Sequence, residues 1–142
     1  NSIIDSTAEM YIPMAAQKGV KIILENLDKE LVGLVDIDML KTIIRNLISN
    51  AMKFSFEGGT ITLSSRSEGD FVTVSVKDTG KGIRKKDMKH VFRPGFTTKQ
   101  RGWGLGLSLA KRIVEEYHHG KIWVKSTEIG HGTTCRIELK KE

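Results

Sequence analysis

The sequence predicts an α+β domain, a two-layer sandwich in which a mixed sheet of about five or six strands carries about three or four helices on one face. Three observations lead there. Apolar residues recur at helical spacing in 40–55 and 105–117. Apolar and polar residues alternate in short runs at 60–65, 71–77, 121–126 and 133–139. These runs come partly as consecutive hairpins and partly split by helices, which disfavours a doubly wound parallel sheet.

At the start, Ile3, Ile4, Met10, Met14 and Ala15 can share one side of a helix reaching Lys18-Gly19, with Pro13 weakening or kinking it if it lies in the interior. Residues 1–18 read as a connector helix and 19–142 as the domain proper. Apolar runs at 20–24 and 31–35, separated by Glu25-Asn26-Leu27-Asp28-Lys29-Glu30, suit two strands and a turn. Asp36 or Asp38 can cap the helix at 40–55, and Gly58-Gly59 ends it. Glu68-Gly69-Asp70 turns the chain between the next two strands. Residues 84–91 suit a short helix and 105–117 a longer one, before a last strand pair around Gly130-His131-Gly132.

With 142 residues, the chain is large enough to bury one core without metal or disulfide support. Its 39% hydrophobic and 28% charged content argues against intrinsic disorder and a membrane class. No apolar run approaches the roughly 20 residues of a spanning helix, so this fragment is predicted to be free of the membrane. Cys135 has no second cysteine to pair with, which favours a reducing cytoplasm over a stapled secreted scaffold. The net charge of +6 would attract polyanions, yet lysine and arginine are scattered along the chain. A nucleic-acid-binding domain has only that charge in its favour. The chain opens on Asn1 without an initiating methionine and reads as a piece of a longer polypeptide.

Chemistry concentrates in three segments. In Arg45-Asn46-Leu47-Ile48-Ser49-Asn50-Ala51-Met52-Lys53-Phe54-Ser55, the spacing puts Asn46, Asn50 and Lys53 on one helical flank while Leu47, Ile48 and Ala51 turn to the core. Asparagines one turn apart stand about 6 Å apart along the axis and can serve one site. Magnesium keeps several waters and takes other ligands from phosphates, so one amide oxygen from Asn50 suffices, and Lys53 can reach a phosphate as a point charge. Asparagine is a poor helix former, which weighs against a merely solvated face. Next, Asp78 ends a strand before Thr79-Gly80-Lys81-Gly82-Ile83, where its carboxyl can accept a hydrogen bond from an adenine amino group and the glycines let the backbone approach a flat base. By itself that is also what an ordinary turn looks like.

The third segment runs from Phe92-Arg93-Pro94-Gly95-Phe96-Thr97-Thr98-Lys99 to Gly102-Trp103-Gly104-Leu105-Gly106-Leu107. Leu107 stands where a dinucleotide-binding turn needs its third glycine, and no P-loop sequence occurs. What remains is a pliable loop delivering backbone amides to phosphates at the start of the 105–117 helix, whose positive dipole end favours anions. Trp103 anchors that loop or reports its closure. Together the three segments read as an ATP site.

In order and spacing, the Asn50 helix, the Asp78-Thr79-Gly80-Lys81-Gly82 turn, the 92–99 segment and the 102–106 loop resemble the N, G1, F and G2 boxes of the ATP-binding catalytic domain of sensor histidine kinases. The likeness covers nearly the whole chain. That family shares the Bergerat ATP-binding fold with gyrase, a heat-shock chaperone and a mismatch-repair ATPase. The resemblance implies Asn50 as the magnesium ligand, Asn46 and Lys53 near the phosphates as the catalytic set with it, Phe54 against the adenine and Asp78 on its amino group. It implies Gly80, Gly82 and Ile83 in the base pocket. Phe92, Thr97, Thr98, Lys99, Gly102, Gly104, Leu105, Gly106 and Leu107 would complete the ATP-binding set, with the loop residues as a lid. Gly95 stands where the family is often aromatic, Arg93 where an acidic residue is common, and His119 where glycine is frequent.

In the ATP-hydrolysing relatives a glutamate one turn before the metal-binding asparagine activates water. Here that residue is Asn46, which cannot act as a general base. Phosphoryl transfer to a protein side chain fits better than hydrolysis, with the nucleophile supplied by another domain. None of His90, His118, His119 and His131 is followed by the acidic residue of the family's acceptor helix, and the histidines and Cys135 lack zinc-site spacing. The expected function is therefore transfer of the γ-phosphate of Mg-ATP to a histidine on a separate dimerisation domain upstream of residues 1–18. A response regulator would be the later acceptor. The parent is compatible with anchorage in the inner membrane, and the alternative is an ATP-sensing regulatory module, a pseudokinase of the same fold.

Overall fold

Pro13 decides how the chain begins. In the computed structural model, which describes residues 2–25, 37–84, 86, 88, 92 and 105–140, the first segment forms two helices, α1 (Ser2–Glu9) and α2 (Ile12–Lys18). Proline sits in the first turn of α2, where its missing N–H has no helical partner to lose. The break at Met10-Tyr11 undoes the expected common side: Ile4 and Ala15 are buried, but Met10 and Met14 are 61% and 53% exposed. Gly19 ends α2 in the left-handed region (φ 79°), with its N–H on the Ala16 carbonyl at 3.0 Å.

Strand β1 (Lys21–Glu25) follows. The second strand expected at 31–35 and the cap Asp36 lie outside the described residues. Helix α3 (Ile37–Phe54) starts earlier than its apolar pattern, so Asp38 falls within its first turn, where a carboxylate complements the helix dipole. Leu40, Ile43, Ile44, Leu47, Ile48 and Ala51 form its buried stripe. β2 (Thr60–Glu68) and β3 (Phe71–Asp78) pair as an antiparallel hairpin closed between Glu68 and Phe71, with Gly69 at φ 59° in the turn. Of the short helix expected at 84–91, only Arg84, Lys86 and Met88 are among the described residues.

The long helix expected at 105–117 is α4 (Leu105–Arg112) continued by a wider π-helical turn, Ile113–Tyr117. The extra residue is absorbed at its end: the Gly120 N–H reaches the Val114 carbonyl at 2.8 Å, and His118 Nδ1 donates to the Ile113 carbonyl at 2.9 Å. His119 between them is left-handed at φ 53°. β4 (Lys121–Glu128) and β5 (Gly132–Lys140) then close the sheet.

Strand order is β1-β2-β3-β5-β4, with β1 parallel to β2 through the α3 crossover and the other neighbours antiparallel. This is the mixed sheet the sequence predicts. The stripe of α3 packs with Ile61, Leu63, Val72, Val74, Val76, Ile122, Ile137 and Leu139 in one core, and α4 packs on α3. The parallel crossover sets the end of α3 beside the end of β3, where two of the three motifs fall.

Candidate functional site

The amide flank of α3 is half-buried: Asn46, Asn50 and Lys53 stand at the edge of the buried stripe. The Asn46 side-chain Nδ2 is fully buried and has no hydrogen-bond partner among the described residues. A buried amide donor without an acceptor costs about 1–3 kcal/mol, a cost that an anionic ligand oxygen would remove. The helix ends on Phe54, whose ring is half-buried with Lys53 Nζ 5.4 Å and Lys81 Nζ 4.4 Å from its centroid.

Asp78, the last residue of β3, is only 8% exposed. The Gly80 N–H donates to its Oδ1 at 2.9 Å, and the Thr133 N–H on β5 donates to the same carboxyl. Burial raises the Asp78 pKa above the ordinary value of 3.8, against the pull of these two bonds. On the neighbouring strand the Cys135 thiol is pushed up to about 12, first by burial and then by the Asp78 charge. Asp78 is thus a buried carboxyl fixed in orientation by two backbone N–H groups, and burial holds the Cys135 thiol in its protonated form.

The loop after Asp78 is fastened from both sides. Thr79 exchanges hydrogen bonds with Thr60, its N–H on the Thr60 carbonyl at 3.2 Å and its hydroxyl accepting the Thr60 N–H at 3.0 Å. The Lys81 N–H donates to the Phe54 carbonyl at 3.2 Å, and the Lys81 carbonyl accepts the Gly130 N–H at 2.9 Å. The Ile83 N–H donates to the Thr127 hydroxyl at 2.8 Å. Sequence reasoning assigns Gly80 and Gly82 to the approach of a base, but their close described neighbours are the protein's own backbone. A Cβ on Gly80 would come within 2.2 Å of the Phe54 carbonyl oxygen; one on Gly82, at φ 76°, would come within 2.4 Å of the Glu128 carbonyl. Gly80 lets the end of α3 and the Asp78 loop touch.

Among predicted site residues, the fold sets the Phe54 end of α3, the helix that carries Asn46, Asn50 and Lys53, against the loop of Asp78 and Gly80, while Gly82 and Ile83 lie against Glu128 and Thr127. Phe92 is half-buried against the core, with Lys111 Nζ 5.7 Å from its ring. Leu105, Gly106 and Leu107 open α4. Thr97, Thr98, Lys99, Gly102 and Gly104 lie outside the described residues. Sequence reasoning missed Thr133, Thr127 and the Lys81 side chain. Only the non-local pairing of Asp78 with Thr133 brings β5 to the site, and no spacing in the sequence encodes that register. Lys81 was visible inside its motif, but nothing linked it to Phe54.

Residues 35–142 match the family described as Histidine kinase-, DNA gyrase B-, and HSP90-like ATPase. The sensor histidine kinase WalK of Bacillus subtilis is 40% identical over 134 residues, which cover 89% of this chain and 22% of WalK. The chain spans well under half the length of the curated relatives it matches. The catalytic domain of histidine kinase ThkA superposes with a TM-score of 0.90 at 30% identity, covering 99% of this chain and 91% of that one. ThkA solved with the response regulator TrrA gives 0.86 at 28% identity, covering 100% and 40%. Full-length ShkA, solved with AMPPNP, gives 0.87 at 29% identity, covering 97% and 29%. With its match spanning most of the sequence and its neighbours drawn from sensor histidine kinases, the chain belongs to the histidine kinase-, DNA gyrase B- and HSP90-like ATPase family.

Proposed function

We propose that this chain is the ATP-binding catalytic domain of a sensor histidine kinase. It would deliver the γ-phosphoryl group of Mg-ATP to a histidine on a separate dimerisation domain, reached through residues 1–18, and a response-regulator aspartate would be the later acceptor. One observation carries the reading: the amide-bearing end of α3 and the Asp78 loop are locked into one site by the Lys81-to-Phe54 hydrogen bond, with Gly80 leaving no room for a side chain between them.

In this site Asp78 accepts the adenine amino group while Gly80 and Thr133 hold its carboxyl in place, and Phe54, Gly82 and Ile83 flank the base. Asn46 offers its unpartnered Nδ2 to a phosphate oxygen, and Lys53 offsets triphosphate charge. By the family resemblance, Thr98, Lys99, Gly102, Gly104 and Gly106 would supply the lid over the triphosphate. Among the described residues no group of three or more His, Cys, Asp or Glu could hold an ion unaided. The Asn50 amide oxygen would hold magnesium, a hard cation that takes its other ligands from phosphate and water. When bound, it supplies charge neutralisation on the transferring group. Asn46 cannot deprotonate water, which favours transfer to a protein acceptor over hydrolysis.

No described helix is long and apolar enough to cross a membrane. We place the domain in the cytoplasm, where ATP is supplied, with the parent protein free to be membrane-anchored. ThkA has been solved with a response regulator, which supports the same class of partner here. Calorimetry with Mg-AMPPNP should give saturable binding. Mixing with γ-labelled ATP and a histidine-bearing dimerisation domain should then yield acid-labile phosphohistidine. Binding without transfer would favour the ATP-sensing module, and no binding would end both readings.

A further inference from the structure

The last turn of a helix leaves carbonyls without helical partners. In α3 three of those carbonyls meet the residue that follows the helix, the loop after β3 and the end of α2. The Ala51 carbonyl accepts the Ser55 hydroxyl at 2.7 Å, the Phe54 carbonyl accepts the Lys81 N–H at 3.2 Å, and the Met52 carbonyl, which also takes the Ser55 N–H at 3.3 Å, accepts the Lys18 ammonium from the end of α2. Met52 directly precedes Lys53 and Phe54, which the proposed function assigns to phosphate and base. An ammonium at a helix C-terminus also meets the negative end of the dipole.

Lys18 is held where it can do this. The Gly58 N–H donates to the Gly19 carbonyl at 2.7 Å and the Lys21 N–H to the Gly59 carbonyl at 3.0 Å, so the end of α2 is stitched to the loop that follows α3. Gly19 lies so close to that loop that a Cβ would come within 2.6 Å of Glu57 Cγ. We infer that Lys18 is a positioning residue of the nucleotide site: its bond to the Met52 carbonyl holds the turn bearing Lys53 and Phe54 against the Asp78 loop. The inference rests on the ATP-site reading and adds that the connector segment sets the site's affinity without touching the nucleotide.

The test titrates Mg-AMPPNP into the chain and its Lys18→Met and Lys18→Arg variants. Lys18 is exposed, so neither change removes core. Lys18→Met should weaken binding about tenfold, with Lys18→Arg restoring it to within about threefold. Amide exchange at Phe54 and Ser55 should quicken in Lys18→Met while the thermal midpoint moves little. In a cycle with Lys53→Met, the two losses should be less than additive, because both act through one turn. Binding by Lys18→Met at wild-type strength, failure of Lys18→Arg to restore it, or fully additive losses would overturn the inference while leaving the ATP site intact. Wild-type indifference to Mg-AMPPNP would overturn the ATP reading itself and this inference with it.

Discussion

In the proposed site, Asp78 would serve binding at some expense to stability. Its pKa is raised in the folded state, mainly by burial, so its contribution to stability is fully present below 3.8 and is lost as pH rises through the higher folded value. At neutral pH the ionised carboxylate therefore burdens the fold. Asp78→Asn keeps an oxygen for the Gly80 and Thr133 N–H groups. It is expected to melt at or above the wild-type temperature at neutral pH, with the gap closing in acid, while affinity for Mg-AMPPNP falls about tenfold or more. Melts across pH together with calorimetry read both effects; a variant that lost stability at neutral pH and kept affinity would reverse the assignment. At this scale the sequence was legible where a residue's placement is local. Asp78 at a strand end and the amides on α3 could be read from periodicity, whereas the Thr133 bond depends on two strands far apart in the chain.

Among the elements, the end of α4 is the least regular. Its π-helical turn was not legible because one inserted residue over a single turn leaves the apolar pattern nearly unchanged, and both Ile113 and Val114 remain buried. The consequence falls on His119, held at φ 53°, a conformation glycine adopts freely. His119→Gly is expected to stabilise the fold by about 1 kcal/mol, a rise in thermal midpoint of about 4 °C. Calorimetric melts check this, and a fall in midpoint would mean that the side chain contributes more than its backbone costs. Helix α3 and the β2–β3 hairpin were legible to within a few residues because each buries an apolar face over most of its length. The first segment was not, because the cost of Pro13 depends on whether it falls in a first turn or an interior, which spacing leaves open.

For the whole molecule, the mixed sheet was predictable from the alternation of hairpins and helices, but its order β1-β2-β3-β5-β4 was not, because β5 inserts between β3 and β4. The net charge of +6 should act as a diffuse attraction only. Oligonucleotide binding is expected to be weak, non-saturating and abolished at moderate salt, whereas Mg-AMPPNP binding persists. Fluorescence anisotropy across a salt series separates the two, and tight saturable oligonucleotide binding would count against the charge argument. The protonated thiol of Cys135 has a practical use as well. Because the pKa of the chain's one native sulfhydryl is pushed up to about 12, a cysteine engineered at an accessible position is expected to react with maleimide dyes faster than Cys135, so distance reporters can be attached with the natural residue in place.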